Sequence, residues 1–371
     1  MKVQFIDASA FTPPYDRALA AAVARAGVDT ELLTSRFLYG PVPEPDGYAV
    51  ENFFYRRTAA RGLEARGRRT FKLAEHVPDM LRFRRRADAD VIHYQWLSVP
   101  ALDSYLLPPT HPRVMTAHYV LPPRPSRRQL FSARRAFGAM DAVVAHSEHG
   151  AGRLREIVGL DPERVRVIPH GAFDYLTRLP EEKPLPPELE GAEGPVILFF
   201  GLLRPYKGVD TLLEAFRQVK GAELWIAGNP RMDIEPLRRL AAEAPGRVRF
   251  VPRFITDAEI PAIMRRADVL VLPYRDAEQS GVLYAGLAFG KPMVLTAVGG
   301  FPEVAAEGAA RLVPPENPPD LAAELTDLVI DESARRELAE AAARAAAGPY
   351  SWDTVAQQTL TLYSELLERR G

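Results

Sequence analysis

Two cations and two glycines separate an apolar segment from an amphipathic one near the middle of the sequence. Arg204 and Lys207 lie in the run Phe200-Gly-Leu-Leu-Arg-Pro-Tyr-Lys-Gly. Before it, residues 195–200 have the length and composition of a buried parallel strand, and after it apolar residues recur at helical spacing. A helix N-terminus attracts anions through its free N–H groups and its dipole, and Lys and Arg add full charges. The pattern predicts a phosphate site; the alternative is a surface turn that these side chains merely cap.

Short apolar segments alternate with amphipathic ones along the chain, which is typical of parallel sheets covered by helices on both faces. The first half predicts six strands: Val3 to Asp7, Thr30 to Thr34, Val91 to Gln95, Arg113 to His118, Ala142 to His146 and Val165 to Pro169. The second half predicts six more: Val196 to Gly201, Ala222 to Gly228, Val248 to Pro252, Val269 to Pro273, Pro292 to Thr296 and Ala310 to Val313. In such α/β domains ligands bind at the carboxyl ends of the strands.

A chain of 371 residues is longer than one that usually folds around a single hydrophobic core, so two domains are expected. Residues 179–194 are rich in Pro and Glu, and their apolar residues show no helical or strand periodicity. This composition predicts an exposed linker. The first domain is therefore placed over residues 1–178 and the second over residues 195–351.

The composition narrows the class of protein. The sequence has no cysteine, which excludes disulfides, thiolate metal sites and a cysteine nucleophile. No stretch approaches the roughly 18 to 20 apolar residues that span a bilayer, and the first residues resemble a strand rather than a signal peptide. We expect a cytoplasmic protein that binds no nucleic acid.

The segment 56–86 is strongly basic, with eleven Lys or Arg against three acidic residues. Apolar residues are interleaved with the charges: Phe53, Phe54, Leu63, Phe71, Leu73, Met80, Leu81 and Phe83. The pattern suits an amphipathic segment that lies on an anionic membrane surface or holds an anionic acceptor. The alternative is a solvated Arg-rich helix face.

Six motifs follow one another in the second half. They are Phe200-Gly-Leu-Leu-Arg-Pro-Tyr-Lys-Gly, Leu224-Trp-Ile-Ala-Gly, Ala267-Asp-Val-Leu-Val-Leu-Pro-Tyr, Gln279-Ser-Gly-Val-Leu, Gly290-Lys-Pro-Met-Val and Val298-Gly-Gly-Phe-Pro-Glu-Val. Together they resemble the nucleotide-sugar-binding domain of the retaining glycosyltransferases of group 1, also called family 4. The first half is similar more loosely, in Thr12-Pro-Pro-Tyr-Asp, Val114-Met-Thr-Ala-His, Ala145-His-Ser and Val167-Ile-Pro-His-Gly.

This resemblance implies the α/β fold called GT-B, in which two Rossmann-like domains face a central cleft. It also implies that the C-terminal helix over residues 352–371 returns to the first domain; an ordinary helix of the second domain is the alternative. The reaction implied is transfer of a sugar from a nucleoside-diphosphate sugar to an acceptor hydroxyl, with retention at the anomeric carbon. The sugar nucleotide is the donor substrate, and no separate cofactor is implied.

In the family, a Lys-Gly pair and a nearby Arg hold the donor diphosphate, and these roles fall on Lys207 and Arg204, beside Gly201. Negative charge grows on the departing diphosphate, so fixed cations there lower the barrier. One departure is Leu202, which stands where the more usual pattern has Arg. The nucleotide base is expected near Phe254.

A second departure concerns two glutamates that family members commonly carry with seven residues between them. Alignment from the Gly290 motif places Ala277 and Ala285 at these positions. In their place the chain resembles a subgroup with Gln-Ser-Gly-Val. Residues Ser280, Gly281 and Val282 open a predicted helix, so their N–H groups could bind the distal phosphate and the donor sugar. Glu278 is the nearest carboxylate for a sugar or ribose hydroxyl, with a solvated loop residue as the alternative.

His118 ends a predicted strand, and the resemblance implies that it contacts the donor sugar and the reacting centre; a structural histidine is the alternative. His93 and His170 are weaker candidates. Asp16 could orient an acceptor hydroxyl, although an Asp at a helix start more often serves the helix dipole. The histidines do not fall at metal-ligand spacings, so no catalytic metal is implied.

No side chain stands out as a general base. In retaining enzymes of this type, a donor phosphate oxygen is generally taken to accept the proton while the leaving group departs from the same face. Two other functions stay open at this point. One is a sugar-nucleotide epimerase of the same architecture, against which the two alanines argue, and the other is a catalytically silent partner protein.

Overall fold

The structure is a computed structural model that describes residues 1–62, 67–122 and 124–369. Residues 63–66 of the predicted basic segment lie outside the described residues, as does the side chain of Arg68. The chain divides into two compact units. The first comprises Met1–Gly171 and Trp352–Gly371, and the second comprises Ala172–Ser351.

The first unit is built on a parallel sheet. Its strands are β1 (Lys2–Asp7), β2 (Asp29–Ser35), β3 (Ala49–Phe54), β4 (Val91–Trp96), β5 (Arg113–Thr116), β6 (Ala142–Ala145) and β7 (Val165–Val167). Their order in the described sheet is β3-β2-β1-β4-β5-β6-β7. The helices that connect them are α1 (Pro13–Arg25), α2 (Arg56–Ala60), α3 (Arg68–Arg86), α4 (Pro100–Leu106), α5 (Arg127–Gly138) and α6 (Glu148–Arg153).

The second unit repeats the arrangement. Its strands are β8 (Val196–Phe200), β9 (Glu223–Ala227), β10 (Val248–Val251), β11 (Val269–Leu272), β12 (Met293–Thr296) and β13 (Ala310–Val313), in the order β10-β9-β8-β11-β12-β13. Its helices are α7 (Val209–Phe216), α8 (Glu235–Ala242), α9 (Ile260–Arg266), α10 (Gly281–Ala288), α11 (Phe301–Val304), α12 (Pro318–Ile330) and α13 (Glu332–Ala347).

Both sheets are doubly wound, and this order fixes where each can bind a ligand. The strand order reverses direction between β1 and β4 in the first unit and between β8 and β11 in the second. Connections on the two sides of such a point leave toward opposite faces of the sheet, which opens a crevice at the carboxyl ends of the two strands. The loops after β8 and β11 carry the residues predicted to bind the diphosphate and the sugar of the donor.

The structure confirms the twelve predicted strands, with ends that shift by a few residues, and adds β3. That strand was missed because its polar Glu51 and Asn52 interrupt the apolar pattern, as is common at a sheet edge. On the other edge of the first unit, β7 pairs with β6 in parallel.

The boundary between the units falls between Gly171 and Ala172, within the domain predicted to reach residue 178. The Ala172 N–H donates to the Tyr350 carbonyl at 2.8 Å, which ties this stretch to the second unit. The segment predicted as an exposed linker also belongs there, since Leu189 is fully buried in the core of that unit.

The last helix, α14 (Trp352–Glu368), lies in the first unit. Its apolar side chains Trp352, Val355 and Tyr363 share a buried cluster with Leu19 and Val23 of α1. Among the described residues, no helix is both long enough and apolar enough to cross a membrane.

Candidate active site

The turn after β8 carries the two predicted cations. Residues Pro205–Lys207 form a single 3-10 turn, and Gly208 follows in a left-handed conformation with φ of 66°. A Cβ atom at Gly208 would lie 1.9 Å from the Pro273 carbonyl oxygen, so only glycine allows the turn to pack against the end of β11. Helix α7 then begins at Val209. The sequence placed both cations directly at this helix start, whereas the structure inserts the 3-10 turn between them and the helix.

Lys207 is buried, with 8% of the residue exposed. Its Nζ lies 3.6 Å from the centre of the Tyr274 ring, and it makes no hydrogen bond or ion pair with any residue that the structure describes. Burial, with a smaller contribution from the nearby Arg204 guanidinium, lowers the pKa of Lys207 to about 7. A buried cation without an anionic partner is costly, and a bound anion would remove that cost.

Arg204 begins the same turn and is exposed. Like that of Lys207, its side chain has no hydrogen-bond or ion-pair partner within the described part of the chain. Two cations are therefore held close together with their charges unneutralised, which is the electrostatic arrangement expected of a diphosphate site.

Arg275, in the loop after β11, fixes the turn in place. Its guanidinium donates to Asp210 at 2.7 Å, to Glu316 at 2.8 Å and to the Pro205 carbonyl oxygen at 2.5 Å. Its backbone N–H donates to the Tyr206 carbonyl at 2.8 Å. The sequence analysis missed Arg275, because its role depends on the approach of two loops and no local pattern signals it.

The start of α10 meets the turn after β8. Ser280 precedes the helix and is buried, and its Oγ lies 3.2 Å from Tyr274 Oη. A Cβ atom at Gly201 would come within 3.2 Å of Val282 Cγ2, so the Gly201 backbone passes directly beside the first turn of this helix. Gly281, the first helical residue, is exposed. The structure thus brings the turn and the N–H groups of α10 together.

Glu278 is half-buried in the loop before α10. Its carbonyl oxygen accepts a hydrogen bond from the Gly300 N–H at 3.2 Å. Gly299 packs against this loop so closely that a Cβ atom there would lie 1.7 Å from the Ala277 carbonyl oxygen. The loop backbone is therefore fixed by its neighbour, and the role of the Glu278 side chain in sugar binding stays a prediction.

Phe254 lies in the loop after β10 and is 56% exposed. Strand β9 separates β10 from β8, so this loop begins roughly 10 Å along the sheet from the turn that carries Lys207. The spacing leaves room for a nucleoside between the two, and an exposed aromatic ring can stack on a base. Its contact with the base stays a prediction.

In the first unit, His118 belongs to a cluster of aromatic side chains around Tyr15. The Tyr15 ring centre lies 4.6 Å from that of His118, 5.2 Å from that of His146 and 4.8 Å from that of His170. His118 also stacks on Trp96 at 5.1 Å, and its Nε2 lies 3.1 Å from Gln95 Oε1.

These histidines are neutral. Burial lowers the pKa of His146 to about 4, and burial together with the neighbouring imidazoles lowers that of His118 well below its usual value. His118 is only partly exposed, and a neutral imidazole there can donate one hydrogen bond but carries no charge. His93 is fully enclosed, bonded to Tyr363 at 2.5 Å and to Thr116 at 2.8 Å, which is a structural role.

Asp16 lies in the first turn of α1, where it is buried beside Asp7. Its Oδ1 accepts a hydrogen bond from Thr12 Oγ1 at 3.2 Å. Burial, and then the neighbouring Asp7 carboxylate, raise the pKa of Asp16 well above its usual value. Within the described ranges, no group of three or more His, Asp or Glu side chains is arranged to hold a metal ion.

Comparison with solved structures supports the architecture. The chain superposes on a sucrose-phosphate synthase from Thermosynechococcus elongatus with a TM-score of 0.75 over all of both chains, at 20% identity. It superposes on Anabaena HepE in complex with UDP-glucose with a TM-score of 0.72, at 21% identity, over 99% of this chain and 100% of that one. Two doubly wound parallel-sheet units of this kind define the GT-B fold.

The sequence comparisons then identify the enzyme. Residues 194–331 match the family model of glycosyl transferases group 1, and residues 17–172 match that of glycosyltransferase family 4. The D-inositol 3-phosphate glycosyltransferase of Jonesia denitrificans is 26% identical over 93% of this chain and 88% of its own length, and that of Kineococcus radiotolerans is 26% identical over 95% and 90%. The chain is a nucleotide-sugar-dependent glycosyltransferase of group 1 with the GT-B fold.

Proposed function

We propose that the chain transfers a sugar from a nucleoside-diphosphate sugar to a hydroxyl of a small acceptor that carries an anionic group, with retention at the anomeric carbon and without a metal. The observation that supports this most is Lys207, a buried ammonium with no anionic partner among the described residues, beside the reversal point of the second sheet. A donor diphosphate supplies the missing negative charge.

Each donor residue has one task in this proposal. Lys207 and Arg204 neutralise the diphosphate as the bond to the sugar breaks, so their effect is largest in the transition state. The N–H groups of Gly281 and Val282 are directed at the distal phosphate and the donor sugar. The two cations neutralise the diphosphate in place of the divalent metal ion that other enzymes use. Glu278 accepts from a sugar hydroxyl, Phe254 stacks on the base, and His118 contacts the donor sugar as a neutral imidazole.

The proposal that the acceptor is anionic is based on residues of the first unit. Two adjoining depressions open at the carboxyl ends of β1, β2 and β3, and Arg36 and Phe37 line both of them. Lys72 lines the first and Arg17 the second. This concentration of cations favours an acceptor with a phosphate or carboxylate beside its hydroxyls. The relatives named for D-inositol 3-phosphate suggest an acceptor of that kind.

A lipid-linked acceptor is the alternative that the surface of α3 and α5 supports. Exposed apolar side chains lie on these helices at Phe71, Leu73, Leu81 and Phe131. Arg84, Arg85, Arg127 and Arg128 are exposed on the same two helices. Part of the basic segment is neutralised, since Arg82 pairs with Asp79 and Arg86 with Glu31 and Glu51. The remaining cations and apolar groups suit a peripheral contact with anionic lipid.

The test uses a panel of nucleotide sugars with D-inositol 3-phosphate as acceptor, and also without acceptor. We expect slow release of nucleoside diphosphate without acceptor, faster release with it, and an α-linked product from an α-linked donor even in the presence of a chelator. Lys207→Met should lower kcat/KM by about two to three orders of magnitude. Lys220→Met, at an exposed lysine of the same unit, is the matched control.

Three results would contradict the proposal. Failure of every sugar nucleotide to bind or react would leave a silent partner protein. Interconversion of the sugar without its transfer would mark an epimerase. Equal activity of the Lys207→Met and Lys220→Met variants would remove the donor site from the Lys207 turn.

A further inference from the structure

The loop after β9 continues the second sheet beyond its strand ends. The Leu203 N–H donates to the Asn229 carbonyl oxygen at 3.1 Å, and the Arg231 N–H donates to the Leu203 carbonyl oxygen at 2.9 Å. These two bonds make Leu203 and Pro230 an isolated parallel bridge, past the ends of β8 and β9. The loop after β9 is therefore fixed against the turn that carries the predicted diphosphate site.

The register of this bridge determines which side chains share a face. Bridge partners point to the same face of a sheet, and their neighbours along each chain point to the opposite one. Leu203 is fully buried, so its side chain faces the core, and Pro230 lies on the same face. Arg204, which has extended backbone, then lies on the opposite face together with Asn229 and Arg231. The loop after β9 thus adds two polar side chains to the face that carries Arg204.

These two side chains are available to a ligand. Arg231 is exposed and Asn229 is half-buried. In the part of the chain that the structure describes, neither side chain takes part in a hydrogen bond or an ion pair. A half-buried amide has lost part of its hydration, so a ligand that bonds to it restores what the fold has removed.

The loops at this edge of the sheet pack backbone on backbone. A Cβ atom at Gly228 would lie 1.8 Å from the Gly201 carbonyl oxygen, and one at Gly201 would lie 3.2 Å from Val282 Cγ2 of α10. On the other side, the Gly228 N–H donates to the Val251 carbonyl oxygen at 3.0 Å, at the end of β10. The start of α10 and the ends of β8, β9 and β10 therefore form one continuous floor, whose two glycines let a ligand approach the backbone closely.

The strand order places the loop after β9 between the two ends of the donor. In the proposed function the diphosphate lies at the turn after β8 and the base lies at Phe254, after β10. Strand β9 lies between these two strands. The ribose and the phosphate attached to it therefore lie across the loop after β9. An amide can both donate to a hydroxyl and accept from it, and a guanidinium binds phosphate, so Asn229 and Arg231 suit these two groups.

We propose that Arg231 binds the phosphate next to the ribose and that Asn229 binds a ribose hydroxyl, so that the loop after β9 selects a ribonucleoside diphosphate over its deoxy form. This inference rests on the proposed function. It extends the donor site to residues 229–231, which follow the motif that ends at Gly228. Arg231 also adds a cation on the face of Leu202, the residue that stands where the more usual pattern has Arg.

Nucleotide binding tests both contacts without any transfer reaction. Calorimetry with UDP, GDP and ADP first identifies the nucleotide that binds most tightly. Its 2′-deoxy form, its 3′-deoxy form and its monophosphate then complete the set. The melting temperature of each variant is measured alongside, and it should equal that of the wild type, because neither side chain has a partner among the described residues to lose. A lowered melting temperature would reveal such a partner and count against the proposal.

The two deoxy forms test Asn229. The wild-type protein should bind the ribonucleotide roughly tenfold more tightly than one of them. Asn229→Ala should weaken binding of the ribonucleotide by a similar factor and leave that deoxy form within about twofold. Equal weakening of all three nucleotides would overturn the ribose contact, as would a wild-type protein that does not discriminate among them.

The monophosphate tests Arg231. Arg231→Met should weaken the diphosphate and the monophosphate by the same factor, roughly tenfold, because both carry the phosphate next to the ribose. Arg239→Met is the matched control and should change neither affinity, since Arg239 is exposed on α8 of the same unit and also lacks a partner among the described residues. A loss confined to the diphosphate would overturn the assignment, as would equal affinities of the two variants.

Failure of the proposed function has a different signature. A wild-type protein that binds none of the three nucleoside diphosphates contradicts the donor site itself. A wild-type protein that binds one of them, with Asn229→Ala and Arg231→Met variants that bind it equally well, contradicts only this inference.

Discussion

The Lys207 ammonium lies 3.6 Å from the centre of the Tyr274 ring. The electron-rich face of the ring partly replaces the counter-ion that this cation lacks among the described residues. Because the replacement is incomplete, the charge on Lys207 responds to pH and to ligand.

Binding of UDP-glucose should weaken as the pH rises above 7. The pKa of Lys207 is about 7 in the free protein, because burial and Arg204 disfavour its charge. A bound diphosphate favours the charged form, so binding above that pH requires uptake of a proton, which costs about tenfold in affinity per pH unit. Calorimetry from about pH 6 to about pH 9, in two buffers of different ionisation enthalpy, measures both effects. A flat profile, or one that Lys207→Met leaves unchanged, would contradict the assignment.

The same lysine affects folding stability. Its pKa is near 10.5 when unfolded and about 7 when folded, so between these values the unfolded chain binds more protons. The cost of burying the ammonium is fully present below pH 7 and decreases as the pH rises towards 10.5. The difference in unfolding free energy between Lys207→Met and the wild type should therefore shrink over this range in urea titrations.

Arg275→Gln should raise the donor KM by roughly tenfold, because the bonds that tie Pro205 and Asp210 to the loop after β11 are lost. Arg311→Gln is the control, since Arg311 also binds two carboxylates, Glu324 and Asp327, but lies outside the site. Steady-state kinetics with UDP-glucose measure the difference. Similar KM values for the two variants would show that Arg275 does not position the turn.

Gly208→Ala should destabilise the second unit strongly. The new Cβ would lie 1.9 Å from the Pro273 carbonyl oxygen, at a φ of 66°. Gly159→Ala separates the two causes, because Gly159 has a φ of 82° with no atom within 4 Å of a built Cβ. The control should cost about 1 to 2 kcal/mol from the backbone conformation alone, and Gly208→Ala clearly more. Urea unfolding compares them, and equal costs would refute the close packing.

Contact with anionic lipid should depend on both charge and exposed apolar groups. Vesicles that contain phosphatidylserine should bind the protein less as salt increases, and Leu73→Ser should weaken the binding severalfold. Ile330→Ser is the control, since Ile330 is 76% exposed on α12 of the second unit. Salt-independent binding, or none, would remove the membrane contact from the proposal.

The sequence was sufficient to predict both sheets because each buried parallel strand is a short apolar run between helical segments. It was also sufficient to place Arg204 and Lys207 in the turn after β8, because the strand-turn-helix pattern around them is local. It could not show that Lys207 lacks a counter-ion among the described residues, because the neighbours of a side chain are set by the tertiary fold.

Other site features lie beyond sequence patterns for the same reason. Arg275 acts between two loops, and Arg231 is brought beside Leu203 only by the pairing of β9 with β8. Such contacts are set by strand order, which local periodicity does not encode.

The return of α14 to the first unit has a consequence for synthesis. Trp352 packs so closely on the chain at Gly171 that a Cβ there would lie 2.4 Å from its ring. The apolar face of α1 is covered by α14, and the whole second unit is translated before α14. The first unit therefore cannot complete its core until its last helix has been synthesised, whereas the second unit is one continuous stretch of chain. The unit that begins the chain is the last to have all of its residues translated.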